Sequence, residues 1–317
     1  MRFFRKTLAW IIVLMALAGL SYFFEEKVSH MEAEEAAKRR LFTIEPSDVT
    51  SVEIARGDEI LAVKKGNDGW FIEKPLIASA DQKAIEDMLM HTLRANIDGV
   101  LYDEAPADKL KEMGLEPPYL TATIKSASRG TVSIDLGDRG PTQNVTFAIF
   151  HGEKRILRVH ADVRSELDKT IYDFRDKTVI AIDPQKLKKA EIIWKGREKI
   201  TIYHPQNNIW DVEGIPQGET DMTKLLGTLY GVKEAQIKAF TDDNPKNLKA
   251  YGLEEPRIKF RFIDDKNLQQ NLFVGDKDKK LRGFYAKRSG DPNVFLLEED
   301  FIDNIPESAR DLKMKVD

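Results

Sequence analysis

Apolar and polar residues alternate in short runs along most of this chain, and the runs come in two sets. Residues 49–55 and 60–64 read as paired strands around a Gly57-Asp58 turn. Trp70-Phe71-Ile72 follows a second turn at Asn67-Asp68-Gly69. Residues 190–194, 200–204 and 209–212 repeat the pattern, with Asn207-Asn208 ahead of the last run. A helical period follows each set. Ile85, Met88, Leu89, Thr92 and Leu93 share one helix face, and so do Leu225, Leu226, Leu229 and Tyr230. Ser79, with Gln82 in a capping box, or Asp81 can start the first helix, and Thr220 or Asp221 the second. The aspartates stand at matching places and are the expected caps.

A shorter helix in each set ends at Gly114-Leu115-Glu116 or Gly252-Leu253-Glu254. Glycine suits the left-handed residue of a Schellman stop, with Leu115 packed on Leu110 and Leu253 on Leu248. Pro117-Pro118 and Pro256 forbid continuation. Antiparallel strands then follow at 120–125, 131–136, 145–150 and 155–159, and at 257–263, 271–274, 284–287 and 294–297. Leu136-Gly137-Asp138 and Val274-Gly275-Asp276 fall where a strand gives way to a turn. Short helices around 162–170 and 299–305 close the sets.

The two sets are one unit written twice. Pro46, Trp70, Asp81, Gly114 and Gly137 recur as Pro184, Trp210, Asp221, Gly252 and Gly275, each 138 or 140 positions on. So long and constant an offset marks tandem domains rather than a short-period solenoid. The units are read as residues 41–178 and 179–317. The expected fold class is α+β: two tandem similar domains of antiparallel sheet with interspersed helices, preceded by one N-terminal transmembrane helix. That helix is read at residues 7–24, which carry no charge and would rise about 27 Å. Arg2, Arg5 and Lys6 in a cytoplasmic segment 1–6 precede it, and Glu25 and Glu26 open a helical stalk at 25–40. The positive-inside rule then places the bulk of the chain outside. A cleaved signal peptide is the rival reading, with Ala16-Leu17-Ala18 as its cleavage pattern. Apolar residues running on to Phe24 favour the anchor.

The ordered pieces resemble a known family. They are 41–46 (Leu-Phe-Thr-Ile-Glu-Pro), Gly69-Trp70 with Lys74-Pro75, Ala80-Asp81, Met113-Gly114-Leu115-Glu116-Pro117-Pro118, Leu136-Gly137-Asp138 and Phe174-Arg175-Asp176-Lys177. Copy two repeats Ile182-Asp183-Pro184, Ile209-Trp210, Tyr251-Gly252-Leu253-Glu254-Glu255-Pro256, Val274-Gly275-Asp276 and Tyr285-Ala286-Lys287. It departs with Glu213-Gly214 in place of Lys74-Pro75. The set resembles the bacterial domain-of-unknown-function family DUF4340. That resemblance implies a single-pass inner-membrane protein with an N-terminus in the cytoplasm and a periplasmic bulk. It also implies company with ABC-type transport components of the gliding-motility or auxiliary kind. It implies no catalytic residue.

Composition narrows the chemistry. Beyond residue 24, 46 basic groups face 53 acidic ones, which lacks the electrostatic footprint of a nucleic-acid binder. The chain has no cysteine, so disulfides, thiolate metal sites and a cysteine nucleophile are excluded. His30, His91, His151, His160 and His204 form no helical metal motif. His151 and His160 with Asp162 make a metal site only if their hairpin brings them together, and surface histidines are the plainer expectation. Asp276 and Asp278 hint at a calcium loop but lack its closing Glu, so a charged turn is expected. Asp242-Asp243 and Asp264-Asp265 are adjacent loop acids, not a general acid–base pair. Trp70 and Trp210 are core residues at equivalent places, or else stacking platforms for a glycan. Arg175-Asp176 and Arg310-Asp311 end the units, at the domain junction or toward a partner. No cofactor and no metal are expected. The leading expectation is a non-enzymatic scaffold with a protein partner in an envelope complex. A glycan-binding module using Trp70 or Trp210, and a hydrolase with unmarked carboxylates, are the alternatives.

Overall fold

The computed structural model describes residues 39–204 and 209–314. The expected membrane segment 7–24 and the stalk up to residue 38 lie outside the described residues, as do Asn207 and Asn208. Among the described residues no helix is long and apolar enough to cross a membrane. The chain divides into two compact units that part between Asp176 and Lys177. Lys177 and Thr178 go with the second. The Lys177 carbonyl accepts from the Ile237 N–H at 2.8 Å, and Thr178 bridges Gln236.

Domain 1 is built on a sheet of nine strands whose pairings are all antiparallel. Strands β1 (Val49–Arg56), β2 (Glu59–Gly66), β3 (Gly69–Lys74) and β4 (Ala78–Ser79) meander outward to one side. On the other side of β1 run β6 (Leu120–Ser126), β7 (Gly130–Arg139), β8 (Val145–Phe150) and β9 (Ile156–His160). Strand β5 (Ile97–Tyr102) closes the far edge. Helix α1 (Gln82–Leu93) carries the chain from the β4 edge to the β5 edge, so it must cross the sheet. Its buried face is the one its period predicts: Ile85, Met88, Leu89, Thr92 and Leu93. The apolar members of that face join Val52, Ile54, Val63, Ile72, Ile124, Ile134 and Leu136, alternate strand residues, in one core. Each such side chain contributes roughly 1.5–3 kcal/mol by leaving water. Three short helices, α2 (Ala107–Glu112), α3 (Ala161–Leu167) and α4 (Ile171–Phe174), complete the unit.

Domain 2 repeats this plan. Its strands are β10 (Leu187–Trp194), β11 (Ile200–Tyr203), β12 (Asp211–Val212), β13 (Ala239–Asp242), β14 (Ile258–Asp264), β15 (Gln269–Asp278), β16 (Gly283–Arg288) and β17 (Val294–Glu298). Their order, β12-β11-β10-β14-β15-β16-β17-β13, is that of domain 1 without β4. Helix α5 (Met222–Glu234) takes the place of α1, but the counterpart of α3 is only a tight turn of helix, Glu299–Ile302. Both domains are thus mostly antiparallel sheet with few helices, which narrows the α+β expectation.

The helix caps are Asp81, which accepts from the Ala84 N–H at 3.0 Å, and Asp221, which accepts from Lys224 at 3.1 Å. The Ser79–Gln82 capping box does not form. Ser79 is held in β4, and Gln82 reaches instead to the backbone of Trp70 and Ala80.

Candidate functional site

The most repeated residues build a backbone lock. Gly114 and Gly252 end their helices at φ 64° and 66°. Leu115 donates to the Leu110 carbonyl at 2.8 Å and Leu253 to Leu248 at 3.0 Å, the bonds of a Schellman stop. The Leu-Gly-Asp and Val-Gly-Asp motifs do not end a strand, as their sequence suggested. They lie inside β7 and β15, where the register to the next strand shifts, as in a β-bulge. A Cβ on Gly137 would lie 2.1 Å from the Met113 carbonyl oxygen, and one on Gly275 2.1 Å from that of Tyr251. The Asp138 and Asp276 carboxylates press on Gly114 and Gly252 from the other direction. Two glycines per domain therefore let a helix end sit on a sheet bulge. The Thr146 hydroxyl and the Arg164 guanidinium satisfy the Gly137 carbonyl, at 3.2 and 2.9 Å.

Trp70 is buried at 4% exposure in the domain 1 core. Trp210 is half-buried against the domain 2 core, and His204 stacks on it at 4.0 Å with ring planes 1° apart. Arg175 is buried, with its backbone bridged to Ala80. Its repeat partner is Lys313, which bridges Thr220, and not Arg310. Matching capping boxes, Thr170 with Asp173 and Ser308 with Asp311, fix this register, so Arg310-Asp311 stands three residues before the position that matches Arg175-Asp176. Arg310 is exposed.

His151 and His160 do not meet. Their hairpin pairs Val145 with His160, which sends His160 to the end opposite His151. His151 contacts Asp135 at 2.9 Å, His160 contacts Asp162 at 3.1 Å, and His91 faces Glu166 at 3.6 Å. Among the described residues no His, Asp and Glu group is arranged to hold a metal. The loop acids cap turns. Asp264 accepts from Lys266 and Leu268, and Asp242 from Asn244 and the Tyr251 hydroxyl. Asp278 takes the Lys280 and Leu281 N–H groups and the Tyr285 hydroxyl, and that last bond pushes Tyr285 up to about 12.

Three cations surround Glu191, which is 2% exposed. Lys189, Lys199 and Arg261 contact its carboxylate at 2.8, 3.2 and 2.9 Å. Burial alone would raise its pKa, but the lysine hydrogen bonds and charges outweigh it and hold the group below the usual range. A carboxylate lowered by folding adds stability that is complete above its unfolded pKa. That stability is lost as pH falls through the lowered folded value. Glu191→Gln is therefore expected to flatten the acid side of the melting-temperature profile as pH falls below the ordinary glutamate pKa of about 4.3. A variant profile parallel to wild type would refute this role. Glu191→Ala is expected to cost only about 1–2 kcal/mol, because the three cations are part-exposed and can turn to water.

Residues 70–226 and again 210–316 match the family described as Domain of unknown function (DUF4340). The chain belongs to the DUF4340 family. Both matches open on the repeated tryptophan, and the first runs across the boundary between the two DUF4340 units. No curated protein and no solved structure matches the chain.

The two DUF4340 domains differ in the side chains around the end of their first strand. In domain 1, Arg56 binds the Asp168 carboxylate and the Lys169 carbonyl, each at 2.8 Å. The Tyr119 hydroxyl donates to Asp168 at 2.7 Å, and Arg164 lies 3.4 Å over the Tyr119 ring. At the repeat offset of 138, Arg56, Tyr119, Arg164 and Asp168 become Trp194, Arg257, Ile302 and Pro306. Trp194 keeps the bond across, its indole donating to the Pro306 carbonyl at 2.7 Å. The rest of the network is gone, and an open cleft of about 790 Å³ lies there. A second cavity of about 300 Å³ shares Gly227, Thr228, Asn304 and Ile305 with it. Gly227 and Gly231 of α5 replace Asp87 and His91 of α1, and a Cβ on either would meet nothing within 4 Å. Each interior glycine costs its helix about 1 kcal/mol relative to alanine.

Proposed function

We propose that this DUF4340 protein is a non-enzymatic, single-pass scaffold of the bacterial inner membrane. Both domains stand on the extracytoplasmic side and bind a protein partner in an ABC-type transport or gliding-motility-like complex. The observation that supports this reading is how the repeated residues are used. Trp70, Asp81, Gly114, Gly137 and their copies serve a core, a helix cap and a backbone crossing. Duplication has preserved a shape rather than a reaction centre, and two related shapes on one chain suit binding. The uncharged residues 7–24 behind Arg2, Arg5 and Lys6 supply the tether.

Protease added to spheroplasts is expected to remove the C-terminal region while the full chain fractionates with membranes. Replacing residues 1–24 by a cleavable export signal should release both domains as soluble periplasmic protein. Membrane retention of that protein, or a protected C-terminus in the full chain, would count against the reading.

A further inference from the structure

We propose that the domain 2 cleft docks a short polypeptide segment of the partner, one bearing both a carboxylate and an ammonium or guanidinium group. The inference rests on the scaffold reading above and names the surface it uses. Charge selects the occupant. Arg257 and Asp303 both line the 790 Å³ cleft, yet among the described residues neither makes an ion pair. Arg257 has only the Phe284 ring, 5.7 Å away. Lys224 stands in the same cleft with Asp221 no closer than 3.7 Å. The other acids there are already engaged: Glu307 with Arg197, and Asp311 with the Glu307 and Ser308 N–H groups. Opposite charges that line one cleft without pairing complement a ligand that carries both signs.

Shape argues for a chain segment. The second cavity adjoins the cleft at Gly227, Thr228, Asn304 and Ile305, beside α5. Domain 1 fills the corresponding side with its own helix α3, where Glu166 faces His91. Domain 2 has only the tight turn Glu299–Ile302 there, and glycines at the matching α5 positions leave room for incoming backbone.

The test uses the full chain in native membranes, with the photo-crosslinker benzoylphenylalanine at Asn304 or Glu234, exposed residues on the cavity walls that leave the glycine-lined space open. Control positions are Ile77 and Met90, both exposed in domain 1. The cleft positions are expected to yield an adduct whose crosslinked peptide, identified by mass spectrometry, carries an acid and a base. Its yield should fall at least tenfold in Arg257→Glu and in Asp303→Lys, and hold in Lys111→Glu, an exposed charge on α2. Adducts from the domain 1 positions alone would overturn the cleft assignment and leave the scaffold reading standing. Cleft adducts indifferent to both charge reversals, or with a small molecule instead of a polypeptide, would overturn the proposal as well. No adduct at any position would sink both.

Discussion

Gly137→Ala is expected to destabilise the protein by about 3 kcal/mol or more, and Gly275→Ala by a similar amount. A methyl group at either position would stand 2.1 Å from a carbonyl oxygen of the facing helix end. That neighbour is backbone, so no rotamer change relieves the clash. Either the Schellman stop or the bulge must open, and each is already bonded in place. Gly130→Ala is the control. It has φ 74° but open space around the missing Cβ, so it carries only the left-handed penalty, about 1–2 kcal/mol. Gly114→Ala meets both problems, because φ is positive and the Asp138 carboxylate is in the way. Adding Asp138→Ala should recover the steric part and leave the dihedral part. Urea unfolding of the full chain, followed by tryptophan fluorescence, measures all five variants. A Gly137→Ala midpoint equal to that of Gly130→Ala would show that the crossing is not tight.

Much of this fold was legible in the chain because its signals are local. The face of α1, the aspartate caps and the Schellman glycines each depend on residues within a few positions of one another, and each stands as read. The edge strand β5 was not foreseen. Register shifts interrupt it twice, and it exposes both Val100 and Leu101, so no clean alternation marks it. The bulge role of Gly137 depends on Met113, which only the folded backbone brings near. The cleft was missed for a different reason. Attention to matched positions finds what both copies need to fold, whereas the cleft lies where they differ, at Arg56 against Trp194 and Tyr119 against Arg257. In a duplicated chain that contrast is itself readable, since the unmatched position inside a matched strand is the signal.

Trp70→Ala is expected to cost about 3–5 kcal/mol, against about 1–2 kcal/mol for Trp210→Ala. The difference follows from burial. Trp70 is enclosed with Ile72 and Ile85 in the domain 1 core, whereas Trp210 is half-exposed and its main aromatic partner is His204. A glycan platform at Trp70 needs the opposite arrangement, a ring face open to solvent. Trp70→Phe should restore most of the loss. The Gln82 side chain holds the backbone N–H and carbonyl of residue 70 at 2.6 and 2.8 Å, and phenylalanine keeps both bonds. Gln82→Ala tests that clamp directly. It leaves a backbone donor without its partner and is expected to cost about 1–3 kcal/mol while the indole stays intact. Urea midpoints for the four variants decide between the roles. If Trp70→Ala left stability unchanged, or if acrylamide quenched Trp70 as freely as an exposed indole, the core assignment would fail and a binding role for the ring would return.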